Sequence, residues 1–265
     1  MATRPTTPHR FREGSYDVVR GALLSYRALF TWLNPLGYIS SRIVRPIGMA
    51  IAFTSLSSHY GAGIGRMLAG SSLLAGAGAV LYGMALSVGN ERSFGTLGSW
   101  LASPQNKLGT ACQRALPHLA DGFVGGMCTY VICCLLYGVF PLDVPTFAAI
   151  LAVGVCAAAG LGMALAALAL VVEDLFIGPN AAELVLMMLT GTLVPVHDLP
   201  ALLRPLSEAV PLTNAMRLVD ADLANAPWDA GALWTELAVG GAWFAAGSGM
   251  LLLAARRAAA RTSLT

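Results

Sequence analysis

The residues able to do chemistry are few: 14 Asp and Glu, 16 Lys and Arg, four His and five Cys in 265 residues. Glu183 is the carboxylate that falls clearly inside a long apolar run. An ionisable group in that setting is costly and marks a candidate site. Two readings stay open for it: a role in a substrate path or gate, or a structural group that snorkels or bonds between helices. Arg114, His118 and Asp121 follow at i, i+4 and i+7 and share a helical face, the order a proton relay needs. Counting back about 20 residues from Phe140 puts Asp121 at a membrane interface, which favours an interfacial hydrogen-bonded cluster over a role in admitting substrate. His197, Asp198, Arg204, Glu208 and Arg217 decorate a proline-rich stretch, but their spacing matches no metal template. Helix caps and salt links within a folded lid suit them better. The cysteines (Cys112, Cys128, Cys133, Cys134, Cys156) are odd in number and read as small buried hydrophobes. With Lys107 as the single lysine there is no G-x-x-x-x-G-K-[ST], so the chain has no P-loop to cradle ATP phosphates. No nucleophile, base or metal set converges at one depth, which disfavours a membrane-embedded enzyme.

The elements that must carry these residues are set by composition. Hydrophobic residues make up 56% and charged residues 11% of the chain, against about 25% charged in a soluble domain. Gly, Ala and Leu dominate, as close helix packing in lipid favours. The sequence predicts an all-α integral membrane protein with six transmembrane helices, each near the roughly 20 residues a crossing needs. They run over about 40–58, 67–89, 116–140, 144–172, 175–194 and 233–255. The N-terminus, 1–14, is polar and basic without an apolar h-region and reads as a cytoplasmic tail rather than a cleavable signal peptide. If it is inside, 13 of the 16 basic residues collect on the cytoplasmic side, and only Arg66, Arg204 and Arg217 fall outside.

Three segments do not simply cross. Over 15–34, Val19, Leu23, Tyr26, Phe30 and Leu33 form one helical stripe beside Arg20 and Arg27, an amphipathic helix for the cytoplasmic interface with Trp32 near headgroup level. Between spans two and three, Phe94, Leu97 and Leu101 share a face of a short helix that Pro104 should end. Between spans five and six, Pro195, Pro200, Pro205 and Pro211 forbid one continuous helix. Short helical pieces over 199–203 and 206–210 are expected there, as outer re-entrant half-helices buried in protein. Glycine patterns such as Gly160-x-Gly162 permit tight packing but define no site.

Two stretches resemble a known family. Glu91-Arg92-x-x-Gly95-Thr96-Leu97 with Ser103-Pro104, and the run from Pro195 through Leu199-Pro200 and Pro205-Leu206 to Pro211-Leu212-Thr213, are similar to the ABC-2 type transporter permeases, and the small daunorubicin-resistance-like members in particular. The resemblance implies that 1–265 is a single transmembrane domain, with a connecting helix at 15–34, a membrane domain at 40–255 and a cytoplasmic tail at 256–265. It implies a coupling helix, with Glu91, Arg92, Phe94, Gly95, Thr96, Leu97 and Leu101 meeting an ABC ATPase subunit, and an outer cap built on Pro195, Leu199, Pro200, Pro205 and Pro211. It further implies a bacterial inner membrane location and a second permease copy, identical or related, surrounded by lipid with no nucleic acid partner. ATP and Mg would sit on the ATPase and no cofactor on this chain. The function it implies is export of an amphipathic compound such as an antibiotic or drug. Lipid or polysaccharide export is the alternative. An ion-coupled secondary transporter fits less well, because it calls for carboxylates or broken helices near the midplane.

Overall fold

The structure is a computed structural model that describes residues 35–60, 63–103 and 105–262. The expected amphipathic helix over 15–34, the tail over 1–14 and Pro104 lie outside those residues. Every regular element among the described residues is helical. The chain is helical without a break from α1 (Pro35–Ile39) through one π turn (Ser40–Val44) into α2 (Arg45–His59). It continues through α3 (Ile64–Ser93), the short α4 (Leu97–Ala102), α5 (Lys107–Tyr137), α6 (Val144–Ala169) and α7 (Ile177–Leu189). A 3-10 turn (Val196–Asp198), α8 (Arg204–Glu208), α9 (Thr213–Leu223) and α10 (Ala230–Thr262) complete it.

Helix ends follow local chemistry. The Asn106 side chain accepts from the Leu108 and Gly109 amides at 3.0 and 3.3 Å, which starts α5 well before the expected boundary at 116, and Pro117 lies inside the helix. Asp143 caps α6 by accepting from the Thr146 amide at 3.0 Å. The α5–α6 turn is pinned by Tyr130, whose hydroxyl donates to the Leu142 carbonyl at 2.7 Å and accepts from its amide at 3.0 Å. The Tyr130 ring stacks on Phe147 at 3.8 Å.

Among the described residues, four helices are long and apolar enough to cross a membrane: α3, α5, α6 and the Ala230–Arg257 portion of α10. The two other expected spans take a different form. The first is the composite of α1, the π turn and α2, with Arg42 and Arg45 on its helical surface. The fifth, expected over 175–194, is a helix of only 13 residues, about 20 Å long against roughly 30 Å of hydrocarbon. It stops where Gly191 turns to φ +81°, a left-handed conformation that cannot continue the helix, and the Gly191 carbonyl accepts from Arg66 instead of extending the ladder. Residues 190–192 are buried, as irregular backbone at membrane depth must be.

α3 and α6 are the central helices, buried along most of their length, while α5 and α10 turn much of their apolar surface outward. Lipid is as apolar as leucine, so helices associate there through close fit more than through burial. The fit between α6 and α10 depends on missing side chains. A Cβ on Gly240 would stand 2.5 Å from Ala157 Cα, Gly160 abuts the Gly240 backbone, and Gly247 abuts Ala164 one heptad on. The Gly160 pattern is visible in the sequence; its partners on α10 are not.

Gly240→Ala should therefore lower the thermal midpoint of the detergent-purified protein, at a cost on the order of 1–3 kcal/mol for overpacking. Gly241→Ala, at a position with open space beside it, should leave the midpoint unchanged or slightly raised. Equal effects at both positions would contradict this packing.

Candidate functional site

The structure places Glu183 on α7 facing α2 and α3. Its Oε2 pairs with Arg45 Nη2 of α2 at 3.1 Å and accepts from the Tyr82 hydroxyl of α3 at 3.1 Å. The Tyr82 hydroxyl also contacts the Asn180 side-chain oxygen one turn before Glu183. The Arg45 guanidinium stands over the Tyr82 ring, 5.9 Å from its centroid. α2, α3 and α7 together enclose a cavity of about 390 Å³, walled by apolar groups including Met49, Phe53, Leu74, Leu86 and Met187. Arg42 lines it too, held at 3.3 Å from Asp121 and donating to the Ala79 carbonyl at 3.0 Å, while Tyr38 donates to the same Asp121 carboxylate.

Arg114, His118 and Asp121 share a face of α5 as their spacing predicts, but they do not form one cluster. Spread over about 10 Å of helix, each meets a different neighbour. Arg114 binds Glu91 at 2.5 Å and the Ser87 carbonyl at 2.7 Å, His118 is buried against Gly83, and Asp121 takes Arg42 and Tyr38. The Arg42–Asp121–Tyr38 group is a site the sequence reading misses. Its only signal was Arg42 and Arg45 standing three residues apart on one helix.

The elbow between α3 and α5 is braced from inside. Glu91 accepts from Arg114 and from the Thr96 hydroxyl, each at 2.5 Å. Arg92 reaches the Val172 carbonyl at 3.3 Å, and Lys107 donates to the carbonyls of Trp100 at 2.5 Å and Ser103 at 2.6 Å. Leu97, Trp100 and Leu101 pack inward on the bundle. Phe94, which its spacing puts on the same face, is 52% exposed. Gly95 between them adopts φ +69°, a left-handed conformation that breaks the helical count. The elbow thus spends Glu91, Leu97 and Leu101 on its own fold and leaves Arg92, Phe94, Gly95 and Thr96 at the surface, Arg92 and Thr96 with hydrogen bonds back to the bundle.

The proline-rich segment folds into a cap, with its helical pieces shifted from the expected positions. Residues 200–203 form a turn rather than a helix, Pro195 opens the 3-10 turn, and α8 begins at Arg204 with Pro205 in its first turn. Leu199 and Pro211 are buried, Pro200 and Pro205 exposed. Arg204 donates to the carbonyls of His197 at 2.7 Å and Leu199 at 3.0 Å, and Arg217 pairs with Glu208. Leu212 takes φ +80° and is fully buried. That turn is held by Glu236, a carboxylate with no exposure on α10, which accepts from the amides of Leu212, Asn214 and Ala215 at 2.5, 3.0 and 3.3 Å. It serves α9 as an N-cap side chain would, but from another helix. Glu236 lies near the start of the sixth expected span, and the sequence reading, which singled out Glu183 alone, misses it. Trp243 adds a bond to the Ala209 carbonyl at 2.7 Å.

Long apolar helices packed by small residues, with charges answered inside the bundle, define a multi-pass membrane protein. The family model of ABC-2 type transporters matches residues 21–221, and the chain belongs to that family. It is therefore a permease subunit of an ABC transporter, a transmembrane component not itself catalytic, of a kind that normally works with an ABC ATPase partner. Among curated proteins none matches the chain.

The brace predicts a charge-swap result. Glu91→Arg should destabilise the elbow by about 2 kcal/mol, the scale of a hydrogen-bonded charge lost, and open it to limited proteolysis. Adding Arg114→Glu should restore much of the protection. If the double variant is no better than the single one, the brace is not the reason Glu91 is there.

Proposed function

We propose that the chain is the transmembrane half of an ATP-driven exporter, working as a dimer of permease copies in the bacterial inner membrane and moving an amphipathic compound such as an antibiotic or drug. In this reading the chain crosses six times, with α1–α2 as one additional pass and α7, completed by the buried irregular stretch that follows it, as the other. The elbow and both ends of the chain face the cytosol, and the cap faces out. The observation that carries the proposal is the cavity between α2, α3 and α7: largely apolar walls with one small polar cluster around Glu183. Such a lining suits an apolar body with one polar end. It suits a polysaccharide less well, since that cargo needs hydrogen-bonding groups along its whole length. α7 ends in the turn that starts the cap, so a displacement of either is felt by the other.

The coupling proposal assigns the outward residues of the elbow, Arg92, Phe94 and Gly95, to an ATPase groove. Glu91, Thr96, Leu97 and Leu101 hold the elbow in shape for it. Motion of the ATPase at α4 then passes to α3 and α5 through the Glu91–Arg114 pair and to the loop after α6 through Arg92.

The test is reconstitution with an ABC ATPase that co-purifies with this chain. Amphipathic compounds should stimulate ATP hydrolysis and accumulate in inside-out vesicles, and Phe94→Asp should reduce stimulation at least tenfold, a change of about 1.4 kcal/mol, while the purified chain keeps its melting midpoint. Transport by the chain alone, driven by an ion gradient without ATP, would overturn the reading.

A further inference from the structure

The groups around Glu183 are arranged as a cation site that already contains a cation. A carboxylate and the face of an aromatic ring that converge on one point form the pairing that recognises organic cations, and here Glu183 and the Tyr82 ring converge on the guanidinium of Arg45. Tyr82 is fixed by hydrogen bonds to Glu183 at 3.1 Å and to Asn180. The resident is Arg45, 3.1 Å from the carboxylate and 5.9 Å above the ring. We propose that Glu183, Tyr82 and Asn180 bind the charged group of an amphipathic organic cation, and that Arg45 is a tethered stand-in which the cargo displaces. The inference rests on the reading of this cavity as the cargo site and narrows the cargo to cations.

Three observations give the direction of exchange. First, the two partners differ in exposure: the Arg45 side chain is 52% exposed and the Glu183 side chain 20%. Arginine at the rim can swing its guanidinium to water or to lipid phosphates while its stem stays on apolar surface. Glu183 has no such exit. Second, a cation that replaces Arg45 leaves the charge at Glu183 answered. An anion that took Arg45 would strand the carboxylate in an apolar wall, the costly half of breaking such a pair. Third, the other arginine on the cavity is already engaged. Arg42 is 17% exposed, paired with Asp121 at 3.3 Å and bonded to the Ala79 carbonyl at 3.0 Å. The remaining wall, with Met49, Phe53 and Met187, offers adaptable contact for an apolar body in about 390 Å³.

The tether sets an occupancy rule. When the cavity is empty, Arg45 keeps Glu183 neutralised. A cargo must out-compete it, so removing Arg45 strengthens binding while removing Glu183 weakens it. A site in which the pair is merely structural, or one built for anions, does not show this opposition.

The experiment is equilibrium binding to the full-length chain in lipid nanodiscs, with empty nanodiscs subtracted. The probes are tetraphenylphosphonium and, separately, tetraphenylborate, nearly the same shape with opposite charge. Saturable binding of tetraphenylphosphonium is expected, with tetraphenylborate weaker by at least about tenfold. Arg45→Ala should tighten phosphonium binding about tenfold, Glu183→Gln should weaken it about tenfold, and Arg45→Lys should stay within about threefold of the parent. If a charge variant fails to fold by thermal melting, Tyr82→Leu, expected to weaken binding about tenfold through loss of the ring face, and the comparison of the two probes decide the matter. Equal or preferred binding of tetraphenylborate, absence of saturable phosphonium binding, or weakening by Arg45→Ala equal to that by Glu183→Gln would overturn the proposal. ATP-driven export of a neutral amphiphile without phosphonium binding would remove this inference and leave the exporter reading standing.

Discussion

Lipid offers no partner to a charge, so each charged or polar group carried into the membrane must be answered by the chain itself. That constraint orders this structure more than any single packing contact. Arg42 meets Asp121, Arg45 meets Glu183, Arg114 meets Glu91, Arg66 meets Asp220, and Glu236 meets three backbone amides. The pairs also sort by position. Glu91 and Arg114 close one end of the bundle, while Arg66, Asp220 and Glu236 close the other. Between them α3, α6 and α10 run as apolar helices held together by close backbone approach.

Glu236 and Glu183 show two solutions to the same problem. Glu236 is answered by amides that cannot leave, because they belong to the first turn of α9 and its preceding residue. The cap is thereby fixed to α10, and the unfavourable left-handed Leu212 is held where a free chain would relax it. Glu183 is answered by side chains from two other helices, one of them half exposed. A fixed carboxylate builds a scaffold, whereas an exchangeable one leaves room for function. The difference in partner type separates the structural acid from the candidate functional one more clearly than depth in the membrane does.

Much of this was legible in the sequence, for physical reasons. Apolar runs of membrane length and the lack of charge marked the helical membrane protein, and the glycine before Thr96 and the spaced prolines marked the elbow and the cap. What was not legible depended on partners far apart in the chain. The pairing of Glu91 with Arg114 was hidden because they stand 23 residues apart, and the partners of Asp121 were hidden because Arg42 and Tyr38 belong to another helix. Phe94 was misplaced for a local reason, since a helical period cannot be counted through a residue at φ +69°. The fifth helix was drawn too long because hydropathy does not register a glycine that takes φ +81° and breaks the helix inside an apolar run.

The central claim is that the two polar ends of the bundle lie on opposite sides of the membrane, with the elbow on one and the cap on the other. Cysteine labelling in intact cells with a membrane-impermeant maleimide tests it most directly, against the background of the unsubstituted chain. Leu202 in the cap is 86% exposed and Ser99 in the elbow is exposed. The account predicts that Leu202→Cys is labelled from outside and that Ser99→Cys is labelled only after the cells are permeabilised. Labelling of both positions in intact cells, or of neither until permeabilisation, would contradict it.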